Sequence, residues 1–101
     1  MDCMNIEMKR NADVTTIEIA GRLDTTTAPV LDKTINEDIE GTKDLILDLK
    51  GLEYISSAGL RVLLGAQKKM MKIGSMKVVN VCEAVMEVLE MTGFADILEI
   101  E

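Results

Sequence analysis

The sequence predicts an α/β domain: a mostly parallel sheet of four to five strands, beginning with an N-terminal hairpin, with helices packed on it. Near the N-terminus, two stretches of alternating apolar and polar residues flank a turn-forming segment, as the strands of a hairpin do. Apolar runs of strand length then alternate with segments of helical periodicity, which favours parallel strands joined by right-handed crossovers. A chain of 101 residues has the length of one domain, predicted to span residues 1–101.

The N-terminal hairpin is predicted between residues 4 and 20. In Met4–Lys9, apolar side chains alternate with polar ones, which is typical of a half-buried strand. Asn11–Asp13 has the composition of a turn, and Val14–Ala20 alternates again. Gly21–Asp24 is expected to break this second strand.

The first helix is predicted to begin near Thr27, a favoured N-cap residue, with Pro29 in its first turn. Asp24 is the alternative capping residue. Gly41 is expected to end the helix. The apolar stripe of the helix is formed by Val30, Leu31, Ile35 and Ile39.

The central strand is predicted over Asp44–Lys50, and its continuous apolar run indicates burial on both faces. A short loop is expected next, followed by Ser56 and Ser57. A second helix is then predicted from Ala58 up to Gly74. Its inward side is assigned to Leu60, Leu63, Leu64, Gln67, Met70 and Met71.

The remaining residues predict one further strand–helix pair and a closing strand. The strand is placed at Met76–Val81 and the helix at Cys82–Thr92, where Gly93 ends it. Asp96–Ile100 is expected to form a last short strand. The predicted order is therefore β-β-α-β-α-β-α-β.

Composition excludes several kinds of partner. The net charge is −7, whereas nucleic acids and anionic membranes attract clusters of Lys and Arg, so we expect no direct contact with either. No apolar run approaches the roughly 20 residues of a membrane span, and the first residues do not resemble a secretory signal. Cys3 and Cys82 do not constitute a disulfide framework, which favours a reducing cytoplasm.

The usual signatures of enzymes are missing from the sequence. Histidine is absent, which rules out a Ser–His–Asp triad and removes the commonest general base and metal ligand. The chain contains no GxSxG elbow, no GxxxxGK[ST] loop and no GxGxxG fingerprint. We therefore expect no catalytic residues, no metal and no cofactor.

The junction at Ser56 and Ser57 is the strongest candidate site. It lies where the central strand is followed by a helix N-terminus, whose unpaired N–H groups and dipole favour an anion. A phosphate on one of these serines would be tolerated by the fold. The other interpretation is structural, because serine is a favoured N-cap and one of the two residues could serve only as a cap.

Three longer segments of the chain are GRLDTTTAPVL (Gly21–Leu31), LDLKGLEYISSAGLRVLLGA (Leu47–Ala66) and EMTGFADIL (Glu90–Leu98). Together they resemble the STAS domain of bacterial anti-sigma factor antagonists. The resemblance spans nearly the whole chain and keeps the order of elements, so it is far more specific than any one motif. It implies a small α/β domain with four or five strands packed against helices.

The resemblance also implies a function in partner switching. In this family the unphosphorylated antagonist binds an anti-sigma factor with serine kinase activity and frees a sigma factor. Phosphorylation by that kinase releases the antagonist, and a PP2C-type phosphatase resets it. The family's phosphate acceptor falls on Ser57 of this chain. The expected partner-binding residues are Asp24, Thr25, Ser56, Ser57, Gly59 and Arg61.

Beside the acceptor, the chain departs from the family's pattern. Ser56 replaces an Asp, Ala58 replaces a hydroxyl residue, and Arg61 replaces a second Gly. These departures leave alternatives open. Ser56 could be the acceptor instead, or the chain could be unphosphorylated and act as a constitutive binder. In that last case it could also be an accessory or ligand-sensing module, for example the partner of a lipid-transport ABC ATPase.

Overall fold

The structure, a computed structural model, describes residues 4–101, and Cys3 lies outside this range. Within it, four strands and three α-helices follow one another in nearly the predicted order. The elements are β1 (Met4–Asn11), β2 (Val14–Leu23), α1 (Ala28–Asp38), β3 (Asp44–Ile55), α2 (Ser57–Ile73), β4 (Ser75–Val79) and α3 (Glu83–Met91), followed by one 3₁₀ turn at Phe94–Asp96.

The strands form one sheet in the order β1-β2-β3-β4. β1 and β2 are antiparallel and are joined by a two-residue turn, so the predicted hairpin is confirmed. β2 pairs in parallel with β3, and β3 pairs in parallel with β4. The mostly parallel sheet is therefore confirmed as well.

The core lies on one face of this sheet. Ile17, Leu47 and Val78 are aligned across three strands and are all but inaccessible to solvent. The neighbouring row on the other face, which includes Glu18 and Asp48, is only partly covered. Both crossovers lead in one direction, from β2 to β3 to β4, and right-handed crossovers then place α1 and α2 on the same face. The third helix, α3, packs into the same core through Val85 and Leu89. The prediction that the central strand is buried on both faces was therefore wrong.

β2 and β3 are both longer than predicted. β2 continues through the expected break to Leu23, and β3 continues through the expected loop to Ile55. The pairing register shifts on either side of Gly21, whose φ of 98° is open to glycine at little cost. The glycine that indicated a break is thus part of an irregularity inside a continuous strand. As a result, Leu23 and Ile55 are paired at the carboxyl ends of the two strands.

The prediction of a last strand over Asp96–Ile100 was wrong apart from one residue. Phe94–Asp96 form a 3₁₀ turn, and only Ile100 makes an isolated parallel bridge, to Val78 of β4. Leu98 turns its side chain into the core and is 5% exposed. The C-terminal segment therefore pairs with the edge of β4 only at Val78.

Candidate functional site

The site is formed where two chain segments leave the sheet side by side. Leu23 and Ile55 end β2 and β3, and the next residues are Asp24 and Ser56. The N–H of Ser56 donates to the carbonyl oxygen of Leu23 over 2.9 Å. The β2–α1 loop and the N-terminus of α2 are thereby held together, at the carboxyl edge of parallel strands where ligand sites gather.

Ser56 and Ser57 have different surroundings. Ser56 is the N-cap of α2, with extended backbone, and its Oγ accepts a hydrogen bond from the N–H of Gly59 over 3.3 Å. Ser57 is the first helical residue; its side chain is exposed and makes no hydrogen bond to any residue within 4–101. The capping interpretation therefore applies to Ser56, and the hydroxyl of Ser57 remains accessible.

This difference predicts a modest effect of Ser56→Ala on stability. Loss of the cap leaves the N–H of Gly59 without its side-chain acceptor and should lower the free energy of unfolding by about 1 kcal/mol. The exposed Ser57→Ala should change it by less than about 0.5 kcal/mol. Urea denaturation of both variants beside wild type measures the two effects; equal losses would contradict the assignment of the cap.

The N-terminal turn of α2 is electrostatically suited to negative charge. It contains no acidic residue, and the helix dipole places positive potential at this end. Arg61 is exposed one helical turn beyond Ser57, on the same side of the helix. An anion carried by Ser57 would thus meet helix N–H groups and a guanidinium.

Gly59 was predicted to help form or shape the partner surface, and the structure places it below that surface. It is buried, and a Cβ built on it would lie 2.7 Å from Cγ of Leu23 and 2.9 Å from Cγ1 of Ile55. Gly59 therefore acts through packing, by allowing α2 to approach the ends of β2 and β3 closely. The height of Ser57 above the sheet depends on this contact.

The carboxylate of Asp24 organises the loop before α1. Its Oδ1 accepts hydrogen bonds from the N–H of Thr26 (3.0 Å), the hydroxyl of Thr26 (2.8 Å) and the N–H of Thr27 (3.1 Å). Thr27 occupies the N-cap position of α1 but makes no capping bond with its own side chain. Its hydroxyl instead donates to the carbonyl oxygen of Arg22 over 2.9 Å. Both N–H groups that Asp24 accepts from precede α1, so the alternative prediction that Asp24 caps the helix was wrong, and Thr27 keeps the N-cap position.

These hydrogen bonds lower the pKa of Asp24 below its ordinary value of 3.8, with the Thr26 hydroxyl as the largest cause. The ionised carboxylate therefore stabilises the fold above about pH 3.8, and this contribution is lost as the pH falls through the lower pKa of the folded state. In Thr26→Val we expect the pKa of Asp24 to rise toward 3.8. A carboxyl-carbon NMR titration measures this; an unchanged pKa would show that the Thr26 hydroxyl does not lower it.

A shallow groove beside Ser57 brings the remaining predicted residues together. Its volume is about 290 Å³, and it runs between the N-terminal turns of α1 and α2. Thr25 and Arg61 both line it, while the carboxylate of Asp24 is turned into its own loop. The lining residues are Thr25, Ala28, Pro29, Asp32, Ala58, Arg61 and Val62.

Comparison of the sequence with models of known protein families identifies the family of this chain. A sequence model of the STAS domain matches residues 5–101. The chain belongs to the STAS domain family. The resemblance of the three segments is therefore confirmed, and the match covers almost all of the predicted domain.

Relatives of this STAS domain carry regulatory names. The anti-sigma-B factor antagonist of Bacillus subtilis is 35% identical over 96% of this chain and 90% of its own length. The crystal structure of an anti-sigma factor antagonist from Mycobacterium paratuberculosis has a TM-score of 0.87 at 23% identity, over 96% of this chain and 84% of that one. The structure of the Bacillus cell fate determinant SpoIIAA in its phosphorylated form has a TM-score of 0.76 at 16% identity. The match covers 96% of this chain and 91% of that one.

The sequence does not predict one pair of side chains that lies beside the candidate site of this STAS domain. The guanidinium of Arg22 lies 4.2 Å from the ring centroid of Tyr54, and the two residues are register partners near the ends of β2 and β3. Both are exposed. The sequence predicts a break at Arg22 and a loop at Tyr54, so only the pairing of β2 with β3 brings the two side chains together. The one signal in the sequence for this pair is that Tyr54 is the single tyrosine of the chain.

No helix within residues 4–101 of the STAS domain is long and apolar enough to cross a membrane.

Proposed function

We propose that this STAS domain is an anti-sigma factor antagonist that is switched by phosphorylation of Ser57. In the unmodified state it binds an anti-sigma factor that is also a serine kinase, and a sigma factor is thereby freed for transcription. Phosphorylation ends the complex, and a PP2C-type phosphatase restores it. The protein acts in the cytoplasm and catalyses no reaction of its own.

The observation that carries this proposal is the free, exposed hydroxyl of Ser57 at the N-terminus of α2. A kinase must reach the hydroxyl oxygen and remove its proton, and no residue within 4–101 competes for that oxygen. The neighbouring Ser56 is less suited, because its oxygen already accepts the bond from Gly59. The names of the relatives support the regulatory role.

The same site explains how a phosphate would change binding and preserve the fold. A phosphate adds a charge of about −1.5 to −2 at neutral pH. The N-terminus of α2 stabilises that charge, so the domain stays folded. In the complex, the phosphate would be enclosed against a partner surface formed to fit an uncharged hydroxyl, where desolvation and repulsion oppose binding.

The partner surface is proposed to extend from Ser57 along the groove between α1 and α2. Thr25 and Arg61 provide polar contacts there, and Asp24 holds the loop that carries Thr25. Ser56 contributes by capping the helix, and Gly59 by the close packing beneath it. The groove offers both an apolar floor, at Ala28 and Val62, and charged rims.

Incubation with ATP and the cognate anti-sigma factor, identified from neighbouring genes, tests the proposal. Intact-mass spectrometry should show the gain of one phosphate on wild type and on Ser56→Ala, and no gain on Ser57→Ala. A gain on Ser57→Ala that equals wild type would assign the phosphate elsewhere. If wild type gains no phosphate, the phosphorylation switch is contradicted. The two alternatives that then apply are an unphosphorylated constitutive binder and an accessory module.

A further inference from the structure

β1 is an edge strand, and its outer side has no neighbour among the described residues. We propose that a second copy of this chain pairs with it, antiparallel and related by a two-fold axis at Met8, so that the two sheets join into one. This interaction surface is separate from the groove between α1 and α2 and does not depend on the function proposed above.

The hairpin determines which backbone groups point outward. Asn11 and Val14 are paired directly across the two-residue turn, so they exchange both of their backbone hydrogen bonds. Hydrogen-bonded and non-hydrogen-bonded pairs alternate from there along the strand. The N–H and C=O groups of Met4, Ile6, Met8 and Arg10 therefore face the free edge, where a second strand can bind them.

The charges on β1 favour an axis at Met8 over an axis at either neighbouring residue. With the axis at Met8, Glu7 lies opposite Lys9 of the partner subunit, and the same contact occurs a second time by symmetry. Moving the axis by one residue sets Glu7 opposite the partner's Glu7, or Lys9 opposite the partner's Lys9. Like charges in such positions are destabilising, whereas opposite charges stabilise the pair.

The surroundings of Glu7 support this register. Within residues 4–101 it has no ion pair, and its register partner on β2 is another acid, Glu18. Lys9 lies 3.2 Å from Glu18 but remains 67% exposed in its side chain. Lys9 of a partner subunit would give Glu7 the cation that its own chain does not supply.

The dimer is expected to be weak and sensitive to salt. Edge-to-edge pairing covers a narrow strip, below the ~1,200 Å² of stable interfaces. On the face of the sheet that carries the helices, the strand pairing would bury part of the Met8 side chain, which is 38% exposed. The paired charges are near solvent and are therefore screened by salt. Self-association should thus appear at high protein concentration and low ionic strength.

Sedimentation velocity over a concentration series at low salt tests the proposal. Wild type should show a reversible monomer–dimer equilibrium. Glu7→Lys should raise the dissociation constant of the dimer at least about tenfold, because it sets Lys opposite Lys across the axis. This loss is expected even though the substitution brings the net charge of −7 closer to zero. The double variant Glu7→Lys/Lys9→Glu re-creates opposite charges across the axis and should restore wild-type association.

Met8→Pro tests the backbone pairing independently. The N–H of Met8 faces the free edge, so proline removes no bond from the hairpin, and edge positions of this kind tolerate proline. Circular dichroism should be that of wild type while dimerisation is lost. A wild type that stays monomeric throughout, or a Met8→Pro or Glu7→Lys variant that associates as wild type does, would overturn the proposal.

Discussion

Replacing Ser57 with aspartate is expected to weaken binding to the cognate anti-sigma factor at least about a hundredfold while the domain stays folded. The new carboxylate would lie at the N-terminus of α2, where the helix dipole favours it and where no acid is present in the first turn. In the complex the same charge would be desolvated against a surface that fits a neutral hydroxyl. Like-charge contact and desolvation of this kind cost about 3 kcal/mol or more.

Asn36→Asp is the matched control for this substitution. It adds the same charge at an exposed position near the other end of α1 and should leave binding unchanged. Isothermal titration calorimetry measures both affinities, and thermal melting verifies that both variants fold. Unchanged binding of Ser57→Asp would contradict the switch. Binding to an ABC ATPase in place of an anti-sigma factor would favour the accessory-module alternative.

Gly59→Ala is expected to destabilise the domain by about 1–3 kcal/mol, although alanine is the better helix former by about 0.5–1 kcal/mol. The added methyl would lie 2.7 Å from Cγ of Leu23 and 2.9 Å from Cγ1 of Ile55, both of which are buried. Neither atom is the free end of a side chain, so α2 must move away from the strands. Ser57 would move with it.

Gly65→Ala on the same helix is the control, because a Cβ there meets no atom within 4 Å. That substitution should stabilise the domain by about 0.5–1 kcal/mol through better helix propensity. The two variants therefore shift the midpoint of urea unfolding in opposite directions. Stabilisation by both would show that the contact beneath Gly59 is loose and does not set the position of α2.

The two errors in the lengths of β2 and β3 share one cause. Gly21 indicated a strand break, and the residues after Lys50 indicated a loop, because local composition cannot distinguish a break from an irregularity that two paired strands accommodate. The uncovered face of the sheet was missed for a related reason. Apolar residues at Leu45–Leu47 indicate burial, but only the direction of the crossovers decides which face the helices cover.

The candidate site was located by sequence and resolved by structure. A serine pair before a helical segment is a local signal, and the family resemblance pointed to Ser57. The division of roles between the two serines depends on backbone geometry at Ser56, whose extended conformation directs its Oγ to the N–H of Gly59. The Arg22–Tyr54 pair could be recognised only after β2 and β3 were paired.

The sequence by itself determined the order of elements, the N-terminal hairpin and the serine junction, because periodicity, turn composition and helix-capping preferences act over a few neighbouring residues. The family followed from the resemblance of three longer segments. Tertiary structure decided the lengths of β2 and β3, the single covered face, the groove between α1 and α2, and which serine hydroxyl is free. These features depend on contacts between residues far apart in the chain, such as Leu23 with Ile55. Such contacts leave no periodic pattern in the sequence.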